Sequence, residues 1–237
     1  ARPGELSQMV KTLSQQPIVA VDTEANSLHA YREQVCLIQY STPTQDFLVD
    51  PFALRDLSSL GAIFQNPHIE KVFHAAEYDI IGLKRDYGFQ FANLFDTMMA
   101  ARILGRTAVG LGSMLEAEFN IVLDKRFQRA NWGQRPLPPA LLAYARLDTH
   151  YLIALRDRLK EELIAAGRWD LAQEDFARLT RTPAGHINGA ENNEEGCWRV
   201  AGNHSLTPQQ NAVLMELCAY RNRQAEHANL PLFKVLG

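Results

Sequence analysis

Apolar and polar positions along the chain follow two periods. Ile18-Val-Ala-Val21 is a short unbroken apolar run, the pattern of a strand covered on both faces. Cys36-Leu-Ile-Gln-Tyr40 and Phe47-Leu-Val49 follow, separated by the turn-forming Ser41-Thr-Pro-Thr44, and predict sequential antiparallel strands beside the first. Leu54, Leu57, Leu60 and Phe64 have helical spacing, and Asn66-Pro67 ends that helix. Val72-Phe73-His74 predicts another strand. Helices are expected over residues 77–87, 96–104, 112–119 and 139–166, the last starting at Pro138-Pro139 and stopping at Gly167. Strands first and helices later, with one βαβ-like unit, predict an α/β domain: a mixed sheet flanked by helices.

The pattern changes at Arg181. From there to residue 206 the chain is rich in Gly, Asn, Glu and Thr and reads as a linker. Thr207-Pro208 then starts a helix, with Thr as N-cap, Pro in the first turn, and Val213, Leu214, Leu217 and Tyr220 on one face. The expected organisation is a main domain over 1–180, the linker over 181–206, and a short C-terminal helical segment over 207–237.

Composition narrows the classes. The chain has 237 residues, Lys+Arg 24 against Asp+Glu 27, and a formal net charge of -3. That balance excludes a polybasic protein held by bulk electrostatics, but a local basic stripe could still meet phosphate. Cys36, Cys197 and Cys218 are far apart, with no C-x-x-C pair, so neither a disulfide framework nor a zinc site is expected, and a reducing, cytoplasmic compartment is. Cys36, inside an apolar run, is expected in the core. No stretch has the length of a membrane span and the N-terminus carries no signal region. With no initiator Met and a stop after Phe233-Lys-Val-Leu-Gly237, the chain reads as an excised piece of a longer protein.

Acids break the apolar pattern in three places. Asp22-Thr23-Glu24 directly follows the buried run, and a period of two puts Asp22 and Glu24 on one face. Taken alone, D-x-E is more often a strand end turning into a polar loop. Asp148 shares a narrow helical stripe with Leu141, Tyr144, Leu152 and Leu155, where an ionised carboxylate is costly unless paired or bound to metal. Asp79 follows the Val72–His74 strand in the first turn of a helix, where a carboxylate is often a simple dipole contact. If the four acids converge, their repulsion disfavours a fully ionised site without cations. Oxygen-only ligands favour Mg²⁺ or Mn²⁺. Two such ions about 3.5–4 Å apart are common machinery for phosphodiester cleavage.

These residues carry a resemblance. Asp22-Thr23-Glu24, His74-x3-Tyr78-Asp79 and Tyr144-x3-Asp148 stand in the order and spacing of the three exonuclease motifs of the DEDD superfamily. The chain resembles the ribonuclease D family over residues 5–180, including Leu37-Ile-Gln39, Phe95-Asp96-Thr97, and Leu123-Asp-Lys125 through Asn131-Trp132 to Arg135-Pro136-Leu137. Each motif is weak alone; together they are specific. Tyr144 marks the tyrosine subclass, since the histidine subclass would have His at the position of Ala143.

The resemblance implies a ribonuclease H-like fold and a 3′→5′ exonuclease releasing nucleoside 5′-monophosphates from single-stranded RNA 3′ ends. It implies two divalent ions, Mg²⁺ or Mn²⁺. Asp22, Glu24 and Asp148 would hold one, with Asp22 bridging to the second, which Asp79 would bind through water. Tyr144 would orient the attacking water. Transfer RNA precursors are a candidate substrate. After Asp-Thr-Glu the family commonly has an aromatic residue and then Arg; this chain has Ala25-Asn26-Ser27, which touches terminal-nucleotide preference. Trp198-Arg199 and the segment from Leu206 to Leu236 resemble the start of an HRDC helical domain, a module about twice as long.

Lys125, Arg126, Arg129 and Arg135, interleaved with Phe127 and Trp132, form a candidate single-strand path, basic groups tracking phosphates and aromatics stacking on bases. A solvated basic loop explains them equally well. His74 is a further candidate contact, although a strand-end structural role suits it better. Two other readings are a Werner-type DNA exonuclease and a non-catalytic nucleic-acid-binding module; the latter predicts loss of an acid, and all four are present. A nucleotide-binding loop at Val109-Gly-Leu-Gly112 fails, because no strand precedes it. The oligomeric state is not readable.

Overall fold

The computed structural model describes residues 3–54, 56–184, 197 and 206–236. The chain divides into two compact units, residues 1–24 with 35–184, and residues 25–34 with 185–237.

In the first unit five strands form one sheet in the order β3-β2-β1-β4-β5. They are β1 (Ile18–Ala25), β2 (Val35–Ser41), β3 (Asp46–Val49), β4 (Glu70–Phe73) and β5 (Leu94–Asp96). β2 and β3 pair antiparallel, while β1 with β4 and β4 with β5 pair parallel. The mixed α/β sheet expected from the pattern is therefore present. Helices cover both faces, which explains the unbroken apolar runs. Val19 and Val21 of β1 enter one core with Leu60, Phe64, Phe73 and Ile80, while Ala20 enters the other with Val72, Phe95, Leu155 and Phe176.

The helices are α1 (Pro3–Ser14), α2 (Ser58–Gln65), α3 (Glu77–Tyr87), α4 (Thr97–Ile103), α5 (Leu111–Phe119), α6 (Pro139–His150), α7 (Leu152–Ala165), α8 (Trp169–Thr180) and, in the second unit, α9 (Pro208–Ala228). The helices differ from the sequence reading in three respects. The helix expected over 54–64 begins only at Ser58, after a separate 3-10 turn at Pro51–Ala53 capped by the Asp50 side chain. The single helix expected over 139–166 is broken at Tyr151, whose N–H bonds to the Thr149 carbonyl instead of continuing the ladder. The break splits the supposed stripe: Leu141 joins a small core with Cys36, Leu37 and Trp132, while Leu152 and Leu155 join the core of α7. α1 and α8 were not assigned from sequence, although Leu6, Met9 and Leu13, and Ala172, Phe176 and Leu179, are buried at helical spacing.

In the second unit, α9 starts with a capping box. The Thr207 hydroxyl accepts the Gln210 N–H (3.3 Å) and Gln210 Oε1 accepts the Thr207 N–H (2.8 Å). Its buried stripe is Cys218, Asn222 and Ala225, whereas Val213, Leu217 and Tyr220 of the expected apolar face are exposed. Cys197 and Cys218 form a disulfide, Cα atoms 6.1 Å apart, which corrects the expectation of no disulfide. Sequence separation of 21 hid it, because pairing depends on where the chain folds back. Trp198-Arg199 and most of the linker lie outside the described residues. Among those described, no helix is long and apolar enough to cross a membrane.

Candidate active site

The parallel pair β1 and β4 places the chemistry at its C-terminal edge, where open α/β sheets bind ligands. β1 runs on past its pairing with β4 and carries Asp22 and Glu24, both half-buried, on that edge. β4 ends at Phe73, and the chain turns through His74 and Ala75 into α3, which brings Asp79 in its first turn. α6 lies over β2 and delivers Asp148. Asp79 and Asp148 are buried, 7% and 9% exposed.

The three acids Asp22, Glu24 and Asp148 each place a carboxylate oxygen within 4.8 Å of the others. Asp79 stands beside them rather than in that trio. One of its oxygens, Oδ1, accepts a 2.5 Å hydrogen bond from the Thr23 hydroxyl, and the charge of Asp22 acts on it. Burial pushes all four carboxyls above the ordinary carboxylate range, and neighbouring acids add to this: Asp22, Asp148 and Asp79 on Glu24, and Asp22 on both Asp79 and Asp148. A site of converging carboxylates is chemically incomplete without a cation, and an all-oxygen donor set suits a hard divalent ion. The residues thus fit the group expected from the sequence.

Tyr144 lies one turn before Asp148 on the same side of α6. Its ring is edge-on to Phe127 at 5.9 Å and tilted against Trp132 at 6.1 Å. Burial, with the charges of Asp148, Glu24 and Asp22, pushes its phenol well above the usual tyrosine range, so it keeps its proton and acts as a donor.

His74 is half-buried, and burial pushes its imidazole down, keeping it neutral. The Thr97 hydroxyl donates to the Phe73 carbonyl (3.0 Å), so the 2.9 Å contact with His74 is a bond donated by Nδ1–H. Nε2 is then a lone-pair acceptor, not the cation that a phosphate contact would want. Sequence reasoning names Asp96 only within the Phe95-Asp96-Thr97 stretch and gives it no role; its carboxylate accepts the N–H groups of Ala75 (3.2 Å), Ala76 (2.8 Å) and Met99 (3.0 Å). It caps α4 and pins Ala75, which sits at φ +62°, a left-handed conformation costly for a residue with a Cβ. That turn aims Asp79. Its signal was an Asp directly after an apolar strand and before a helix.

The proposed single-strand path does not survive as a unit. Trp132 is buried, 1% exposed, beneath Tyr144, and offers no ring face to a base. Arg135 makes two bonds to Asp50 (both 2.8 Å) and donates to the carbonyls of Trp132, Gln134 and Cys36 (each 2.7 Å), with its guanidinium 4.5 Å over Phe52. It is a structural clamp, because every hydrogen-bonding nitrogen is committed. Arg126 is exposed and pairs with Asp124 at 2.6 Å; Arg129 is exposed; the Lys125 side chain lies outside the described residues. Cys36 is a buried thiol outside the disulfide, pushed up to about 12 by burial, in the core as expected.

A family model described as 3′-5′ exonuclease matches residues 2–164. The chain belongs to the 3′-5′ exonuclease family. It is 41% identical over 165 residues to the exosome complex exonuclease RRP6 of Saccharomyces cerevisiae, covering 69% of this chain and 22% of that protein. The catalytic core of RRP6 from Trypanosoma brucei superposes with a TM-score of 0.82 at 31% identity, over 97% of this chain and 64% of that one. RNase D of Escherichia coli, an exoribonuclease involved in structured RNA processing, gives 0.76 at 27% identity, over 99% and 62%. These likenesses give the chain the ribonuclease H-like exonuclease fold. The chain spans about a fifth of the length of the curated relatives it matches.

Proposed function

We propose that this chain is the catalytic part of a metal-dependent 3′→5′ exoribonuclease that releases nucleoside 5′-monophosphates from single-stranded RNA 3′ ends. The observation that carries this reading is the convergence of Asp22, Glu24 and Asp148, each with a carboxylate oxygen within 4.8 Å of the others. These three, with Asp79, would hold divalent ions, Mg²⁺ or Mn²⁺, which supply Lewis acidity and charge neutralisation at a phosphate. The chain's own residues do the rest. Tyr144 keeps its phenolic proton and can orient water or a phosphate oxygen beside Asp148. Thr23 holds Asp79 in place. Arg126, beside Asp124, and Arg129 are exposed basic residues on one loop where the strand's phosphates could run.

RNA is favoured over DNA by the roles of the relatives, an exosome exonuclease and an enzyme of structured RNA processing. Precursors of tRNA are one structured RNA of the right kind. The test is digestion of 5′-labelled single-stranded RNA and DNA with Mg²⁺, Mn²⁺ or EDTA, beside Asp22→Asn and Asp148→Asn. A ladder shortening from the 3′ end, needing metal and lost in both variants, is expected. Absence of digestion with either metal would overturn the enzyme reading, and preference for DNA would overturn the RNA assignment.

A further inference from the structure

Asp148 must approach Asp22 and Glu24 against like-charge repulsion, so α6 needs an attachment on its other side. Its last turn supplies one. Residues 146, 149 and 150 project away from the Tyr144–Asp148 stripe on a helix of about 3.6 residues per turn. The hydroxyls of Thr149 on α6 and Ser41 on β2 lie 2.7 Å apart, both residues fully buried. Ser41 also donates to Asp46 Oδ1 at 2.7 Å. A serine has one proton to give, and it is committed to Asp46, so the Thr149 hydroxyl is the donor to Ser41. The alternative acceptor for Thr149, the Arg146 carbonyl, is at 3.5 Å, the limit of a hydrogen bond.

The chain of bonds ends on Asp46, which also takes His150 Nδ1 at 2.8 Å and faces Arg146 at 3.8 Å. Asp46 and Ser41 are themselves opposite each other in the antiparallel β2–β3 pair, so the anchor belongs to the sheet. These contacts gather in the last turn of α6, at Arg146, Thr149 and His150 around Asp148, just before the helix breaks at Tyr151. A helix held at its last turn by a directed hydrogen-bond chain cannot rotate or withdraw without leaving a buried hydroxyl unpaired, which is costly.

We propose that the buried Thr149–Ser41 hydroxyl pair, anchored on Asp46, is the positioning device for Asp148: it sets the rotation and depth of the last turn of α6 so that the carboxylate meets Asp22 and Glu24. This rests on the exonuclease reading above. The residues touch neither substrate nor the reacting atoms; they act through Asp148.

The experiment uses the chain as it stands, with Mn²⁺ binding followed by electron paramagnetic resonance and single-turnover RNA shortening measured beside it. Thr149→Val keeps the side-chain shape and removes the hydroxyl; Thr149→Ser restores the hydroxyl. Thr149→Val is expected to weaken Mn²⁺ binding and to slow RNA shortening about 10–100-fold, the usual range for residues that orient metal ligands, while RNA affinity stays unchanged. Thr149→Ser should return both to within a few-fold of wild type. A merely structural residue would lower the melting temperature and leave Mn²⁺ affinity of the folded protein unmoved. Should Thr149→Val not fold, Ser41→Ala is read by the same criteria. Wild type that binds Mn²⁺ while folded Thr149→Val binds it equally overturns this inference alone. Wild type that binds no Mn²⁺, or binds it no better than Asp22→Asn, overturns the exonuclease reading and this inference with it.

Discussion

Thr23 and Asp79, 56 residues apart, are joined by a 2.5 Å hydrogen bond from the threonine hydroxyl to Asp79 Oδ1. Thr23 lies between the two acids of β1, so this bond ties the strand end to the first turn of α3 and fixes the fourth acid relative to the other three. Thr23→Val removes the donor and keeps the shape. Activity on RNA is expected to fall about 10–100-fold, with Thr23→Ser near wild type, as for other groups that orient metal ligands. Equal activity of the valine and serine variants would show that the bond does not matter to the site.

The acid cluster opposes folding when no cation is bound, because burial and mutual repulsion both penalise charge there. Asp148→Asn should therefore raise the melting temperature in EDTA by a few degrees while abolishing nuclease activity, a trade of function for stability. Adding Mg²⁺ should raise the melting temperature of wild type clearly and that of the variant much less. Differential scanning fluorimetry with and without metal reads both effects; a variant less stable than wild type in EDTA would contradict this account.

Lys71 offers a pH test away from the site. Its side chain is fully buried on β4, with Nζ donating at 2.7 Å to the carbonyls of Asn66 and Ile69. Burial lowers its ammonium from 10.5 to about 8. Between those values the unfolded chain holds a proton that the folded one has lost, so stability rises with pH across that window. Below pH 8 the full cost, about 3 kcal/mol, is present; above 10.5 it vanishes. In urea titrations, wild type should gain about 2 kcal/mol on Lys71→Met between pH 7.5 and 10. A pH-independent difference between the two proteins would rule this out.

Trp132 and Arg135 should behave as fold residues. Trp132→Ala opens a cavity under Tyr144 and should cost about 3–5 kcal/mol of stability. Arg135→Gln should lower the melting temperature and leave RNA affinity of the folded protein within twofold. Arg129→Gln should weaken RNA binding, most at low salt. Filter binding at two salt concentrations beside thermal melts separates the two classes.

Much of the site is local in the sequence. A buried strand's apolar run followed at once by Asp-x-Glu, an acid in the first turn after a second strand, and an acid one turn past a tyrosine in a helix are each short-range patterns. Periodicity alone sets the face on which each side chain stands, and acids on apolar faces are conspicuous because burying charge is costly. The sheet-and-helix order was legible for the same reason, since strands buried on both faces read as unbroken runs.

What the tertiary structure alone decided is which distant atoms meet. Trp132 and Arg135 have the residue types of a nucleic-acid path, yet one is buried beneath Tyr144 and the other is clamped on Asp50, over 80 residues away. The break at Tyr151 is invisible in helix propensity, because α6 packs on β2 and β3 while α7 packs on β4 and α4, a division that only the assembled sheet creates. The Cys197–Cys218 disulfide and the Thr23–Asp79 bond follow the same rule. Periodicity reports the face a side chain takes on its own element; its partner is set by how the other elements pack, which the spacing of neighbouring residues does not contain.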